Sequence, residues 1–169
     1  MSSLTNFDLK YKWTLWFHKV NDNDWSLESY IKVIDIETYF DLLYILKDLD
    51  NITAGMFFFM KDGILPIFED PHNVNGGYWS LRITKKESYQ MWCKIIYLIC
   101  MDKLIKDDLK DTSNNSKKNE IHGISVSPKI NNCIFKIWNS NYNHFKLEDI
   151  PKTIEDIKFE EMFYLPHKA

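Results

Sequence analysis

Between Leu9 and His18 apolar and polar residues alternate, and no other stretch restricts the fold as much. Leu9, Tyr11, Trp13, Leu15 and Phe17 share one face, and Lys10, Lys12, Thr14, Trp16 and His18 share the other. A period of two is the signature of a β-strand, because successive side chains of an extended chain point to opposite sides. The fold must therefore contain a sheet. With 169 residues, 45% of them hydrophobic, the chain is long enough to close one compact core over that sheet.

Further elements follow from turns and spacing. Asn21-Asp22-Asn23-Asp24 is a polar turn cluster, ending at Trp25 and followed by an extended run around Tyr30 to Ile34. Trp25 either folds back on the core or stands on its loop. Asp35 is the expected N-cap of a helix from Ile36 to Leu49, with Tyr39, Leu42, Leu43, Leu46 and Leu49 on its apolar face. Met56 to Met60 is a short apolar strand, and Lys61-Asp62-Gly63 a hairpin turn into another. A strand at Tyr78 to Thr84 and a helix at Glu87 to Met101 come next, followed by a charged, aperiodic loop over 103–120. The chain closes with a hairpin of Ile121 to Ser127 and Cys133 to Trp138, a short helix near 147–157 interrupted by Pro151, and a strand at 160–165. The expected architecture is α+β: a curved, largely antiparallel sheet backed on its convex face by about three helices, with any ligand in the concave face.

Composition excludes several function classes. A net charge of −3 provides no basic field for holding long nucleic acid non-specifically. Cys93, Cys100 and Cys133 are odd in number and lack C-x-x-C spacing, which favours buried thiols in a reducing compartment over disulfides or structural zinc. With no signal-peptide pattern and no apolar run of membrane-spanning length, a cytoplasmic monomer without membrane contact is expected.

The chemistry concentrates in Gly63 to Trp79, where an aromatic ring, Phe68, precedes an acidic pair, Glu69-Asp70, and Gly76-Gly77 leads into a strand. A flat ring beside a carboxylate suits a planar heteroaromatic ligand with N–H donors on one edge. Glu69, Asp70 and His72 are an alternative set of hard-metal ligands, but adjacent carboxylates with one histidine are a weak pattern. Enzyme motifs such as G-x-S-x-G, H-E-x-x-H or a phosphate-cradling glycine loop do not occur, so no enzyme, cofactor or metal is expected. Trp25 and Phe68, on separate loops, could sandwich a ring, each face contact adding about 0.5–2 kcal/mol if the ring is cationic. Glu69 could accept two N–H bonds from a guanine edge, and Lys129 could meet a phosphate.

In order along the chain, Trp13-Thr14-Leu15-Trp16-Phe17, Trp25, Lys61 to Asp70, Gly76-Gly77-Tyr78-Trp79, Trp92 and Ile137-Trp138 resemble the eukaryotic translation initiation factor 4E family of mRNA cap-binding proteins. A weaker echo lies at Tyr164 and His167. The resemblance implies a 7-methylguanosine cap site in which Trp25 stacks on the base, Glu69 holds its N1 and N2 hydrogens, and Trp138 touches the N7-methyl group. It implies a single cap-binding domain over 9–169, with 1–8 as a flexible arm and 103–120 as an inserted mobile loop. The implied role is translation initiation. A cap-binding repressor or decoy, and more remotely a metal-dependent cap hydrolase, are the alternatives.

Three departures from the family pattern stand out. Phe68 occupies the place of a second tryptophan. Of the basic phosphate cluster only Lys129 matches; Asn131, Ile134 and Tyr78 fill neighbouring places, leaving Lys136, Lys168 or Lys117-Lys118 as substitutes. On the helical face, where the resemblance implies a 4G-like scaffold or a 4E-binding protein, the expected contact residues are Ile36, Phe40, Cys93, Lys94 and Tyr97. A lysine at 94 in place of an acid inverts a local charge and favours a diverged partner.

Overall fold

The computed structural model describes residues 7–49, 51–105, 120–144 and 161–167. Its elements are β1 (Asp8–His18), β2 (Ile31–Thr38), α1 (Tyr39–Asp48), β3 (Met56–Lys61), β4 (Gly77–Thr84), α2 (Lys85–Cys100), β5 (Ile121–Pro128), β6 (Asn132–Asn139) and β7 (Phe163–Pro166). The strands form one curved sheet in the order β2-β1-β3-β5-β6-β4-β7, every pairing antiparallel. Residues 1–6, Lys117-Lys118 and most of the expected 103–120 loop, the expected helix at 147–157, and Lys168 lie outside the described residues.

The alternation in β1 sorts its side chains to two cores. Leu9, Trp13 and Leu15 join the main core under the helices, where Trp13 stacks on Phe59 at 5.0 Å. Trp16, on the other side of the pleat, packs against a smaller cluster of Met56, Phe58, Met60, Ile64 and Trp138. β3 divides in the same way, with Phe57 and Phe59 in the main core. Its continuous apolar run thus reflects a strand buried on both faces. α2 supplies Met91, Trp92, Ile95, Ile96 and Ile99 to the main core. The Tyr89 hydroxyl donates to the Leu46 carbonyl at 2.6 Å, joining α2 to α1.

Several expectations are corrected. The first helix begins at Tyr39, not Ile36, because Ile31–Thr38 pairs with β1. Asp35 is no cap; its carboxylate accepts from the Thr14 hydroxyl at 2.8 Å and pairs with Lys32. Thr38 and Asp41 form the capping box instead. Asp8, expected in the arm, already pairs with Thr38. Leu104 and Ile105, expected in the mobile loop, are buried in the main core, and Glu120 at the loop's other end pairs with Lys61 at 3.0 Å. The Lys61-Asp62-Gly63 turn, with Gly63 at φ 80°, opens into a long loop rather than a strand. The last strand is shifted to Phe163–Pro166. Cys100 and Cys133 are buried, whereas Cys93 is half-buried.

Candidate functional site

The loop from Ile64 to Gly76 carries Phe68 and Glu69, and two buried polar residues hold its shape. Asp70 accepts from the Leu65 N–H (2.9 Å), the His72 N–H (2.7 Å) and His72 Nδ1 (2.8 Å). Burial alone would raise its pKa, but these three bonds together bring it below the ordinary carboxylate value. Asn73, fully buried, donates to the carbonyls of Leu65 (3.0 Å) and Ile67 (2.8 Å). Those bonds leave Asn73 Oδ1 to accept from His122 Nδ1 at 3.0 Å. The acidic pair is therefore divided: Asp70 shapes the loop and Glu69 stays exposed.

A cleft of about 310 Å³ opens beside this loop. Its lining includes Trp25 from the loop after β1, Phe68 and Glu69 from the 64–76 loop, and Lys136 and Trp138 from β6. Tyr30, Phe58, Ser125 and Ser127 complete much of the rest. Trp138 is buried, and its indole N–H donates to Ser125 Oγ at 3.1 Å, which fixes the ring on the floor. Burial first, and then the charge of Glu69, pushes the Tyr30 phenol up to about 12, so it remains an O–H donor.

Both aromatic walls are backed by residues that local sequence patterns did not assign to them. Trp25, 54% exposed, lies on His18 with ring centroids 4.5 Å apart and planes 1° from parallel. His18 itself is fully buried, its Nδ1 2.8 Å from the Lys19 carbonyl oxygen and its Nε2 2.8 Å from that of Asp24. Phe68, 38% exposed, stacks on His167 at 4.7 Å and on Tyr78 at 6.0 Å. β7 carries His167 there. Its approach to β4 needs Gly77, where a side chain would run into the Tyr164 hydroxyl and the Leu165 carbonyl, while one at Gly76 would run into the Asn139 carbonyl of β6.

The basic residues separate. Lys136 Nζ sits 4.4 Å above the Tyr78 ring and 5.6 Å above Phe68, inside the cleft. Burial, and then the charge of Lys129, lowers its pKa. Lys129 lies on the β5–β6 turn beside a different, open depression shared with Ile130 and Lys85, and does not line the cleft. The proposed metal ligands are also not assembled: Asp70 is buried in its loop bonds, and among the described residues no three His, Cys, Asp or Glu side chains converge.

On the helical side Phe40 is 62% exposed and tilted against Phe7 at 5.1 Å; Leu43, Tyr44 and Tyr97 are also exposed. Cys93 and Lys94 are half-buried, and burial raises the Cys93 thiol pKa. Ile36 does not belong to this face. It is a β2 residue, 0% exposed in the main core, because strand pairing with Trp13 turns its side chain inward. No helix among the described residues is long and apolar enough to cross a membrane.

Comparison with known proteins agrees with this architecture. The chain is 28% identical over 147 residues to a eukaryotic translation initiation factor 4E homolog of Acanthamoeba polyphaga mimivirus, covering 73% of this chain and 52% of that protein. It is 31% identical over 116 residues to the initiation factor NCBP of Arabidopsis thaliana, covering 66% and 48% respectively. The chain thus spans about half the length of these curated relatives. Among solved structures, the complex of C. elegans eIF4E-3 with the 4E-binding protein Mextli and cap analog superposes with a TM-score of 0.78 at 20% identity, covering 97% of this chain and 94% of that one. The Ascaris suum eIF4E-3 complex with m7G cap gives 0.76 at 20% identity, covering 98% and 93%. A family model described as Eukaryotic initiation factor 4E matches residues 8–169, and the chain belongs to that family.

Proposed function

We propose that this chain binds the 7-methylguanosine cap of mRNA in the cleft beside the 64–76 loop and acts in translation initiation, without making or breaking a bond. The observation that carries this reading is that Trp25, Phe68, Glu69 and Trp138, distant in sequence, line one cleft. Trp25 and Phe68 offer ring faces to the base, and Glu69 accepts from its N1 and N2 hydrogens. Methylation at N7 makes guanine cationic, so aromatic faces and a carboxylate both favour it over the unmethylated base. Trp138 meets the methyl group. Lys136 takes the first phosphate, with Lys129 further along the chain of phosphates. The solved relatives in complex with cap analog and m7G cap support the assignment.

The exposed apolar side chains of Phe40, Leu43 and Tyr97 on the helical face support a protein partner there, in line with the Mextli complex of the C. elegans relative. That favours an initiator docked to a diverged scaffold or 4E-binding protein over a decoy without a partner. The test of cap binding is tryptophan-fluorescence titration with 7-methyl-GTP and GTP. Quenching that is much stronger with the methylated nucleotide is expected, and equal quenching by both would reject the proposal.

A further inference from the structure

We propose that His18 is a positioning residue for Trp25: as a doubly protonated imidazolium held between two backbone carbonyls, it closes the 19–24 loop and provides the flat surface on which the indole rests. The argument begins with the two ring nitrogens, each 2.8 Å from a carbonyl oxygen, of Lys19 on one side and Asp24 on the other. Carbonyls only accept, and neutral imidazole has only one N–H. A neutral ring would therefore aim a nitrogen lone pair at one of the oxygens across hydrogen-bond distance. Only the cation donates at both ends, and hydrogen bonds to the charged form favour that form.

The two bonds bridge the ends of the 19–24 segment, and Trp25 follows it directly. The rings of His18 and Trp25 lie 1° from parallel, so the positive charge faces the indole π-cloud. Around the imidazole, the loop supplies the Asp24 carboxylate, which feels the His18 charge, and Lys19 adjoins it in the chain. The segment before β2 sets the Tyr30 phenol at 4.8 Å, tilted, and β3 places Met56 opposite. Tyr30 holds its proton to about 12 and contributes no countercharge at neutral pH. Asp24 is the nearby anion that complements the cation.

For cap affinity the inference rests on the proposed function. 7-methyl-GTP joins a singly positive base to a triphosphate of larger negative charge, so a His18 charge also attracts it at long range, a contribution that salt screens. The order of the Trp25 loop is what remains at high salt. Loss of the His18 proton turns one of its two bonds into a lone-pair repulsion and loosens the stacking wall.

The test has two readings. In the free, full-length protein at about pH 6, long-range ¹H–¹⁵N spectra should show both His18 nitrogens protonated; a single protonated nitrogen overturns the proposal. In titrations with 7-methyl-GTP at about pH 6 and about 0.5 M salt, wild type should bind about tenfold more tightly than His18→Phe, which keeps a flat ring but donates to neither carbonyl. Equal affinity overturns the proposal. If 7-methyl-GTP binds neither protein, the cap reading fails and the order of the Trp25 loop in the free protein decides: faster amide exchange over 19–25 in His18→Phe than in wild type supports positioning, and equal exchange rejects it.

Discussion

Phe68 and His167 lie ring against ring, centroids 4.7 Å apart and planes 27° from parallel. Phe68 holds the place where the family pattern has a tryptophan, and this contact supports its smaller ring from behind. Removing the support in His167→Ala should weaken 7-methyl-GTP binding by about 1 kcal/mol, the scale of one aromatic pair. Fluorescence titration of the two proteins checks this, and equal affinity would dismiss the supporting role.

Two histidines make stability depend on pH. Burial, outweighing the opposite pull of Glu120, lowers His122 from its ordinary 6.5 to about 4, and burial with the charges of His122 and Lys136 lowers His167 to about 4. Both are neutral when folded but take up a proton on unfolding below about 6.5. The unfolded state then binds more protons, so stability is lost as pH falls from about 6.5 towards about 4. For His122 the whole loss is about 3 kcal/mol. Urea midpoints measured from pH 7 down to 5 should fall in wild type and fall less in His122→Gln; identical slopes would refute the linkage.

Asp70 acts on the cleft from a distance. Asp70→Ala strands the N–H groups of Leu65 and His72, which it now satisfies. A stability loss of about 1 kcal/mol is expected from these partly buried donors, with weaker cap binding because Phe68 and Glu69 ride on the same loop. Thermal melts and titration together measure both effects; unchanged affinity despite lower stability would separate the loop's shape from its function.

Within the cleft, Glu69→Ala should cost more affinity than Phe68→Ala, about 3 kcal/mol against about 1 kcal/mol. The first leaves two N–H donors of the base without charge-assisted acceptors, and the second removes one ring face. Calorimetry with 7-methyl-GTP ranks the two, and the reverse order would mean that stacking dominates recognition.

On the helical face, Phe40→Ala should leave the fold and cap affinity unchanged and abolish capture of a scaffold-sized partner in a pull-down. Phe40 is largely exposed and its ring contact is with Phe7, away from the cleft. If wild type captures no partner, the decoy reading replaces the initiator reading.

The sequence by itself determined most strands, the main helix α2, and the candidate residues Trp25, Phe68, Glu69 and Trp138. These signals are local: side-chain period, turn chemistry, and motifs at fixed spacing. Its errors came where local preference competed with pairing across the sheet. Asp35 has the character of a helix cap, yet Ile36 opposes Trp13 on β1, and ladder pairing with Ile36 buried in the core outweighs one more helical turn. Likewise the acidic pair Glu69-Asp70 reads as two equivalent carboxylates, and only the folded loop, with Leu65 and His72 donating to Asp70, ties one into the loop and leaves the other exposed. The tertiary structure alone brought His167 behind Phe68 and drew Lys136, rather than Lys129, into the cleft. It also laid His18 flat against Trp25. Such contacts depend on strand order, register and the backing of one ring by another, and no periodicity along a single chain records them.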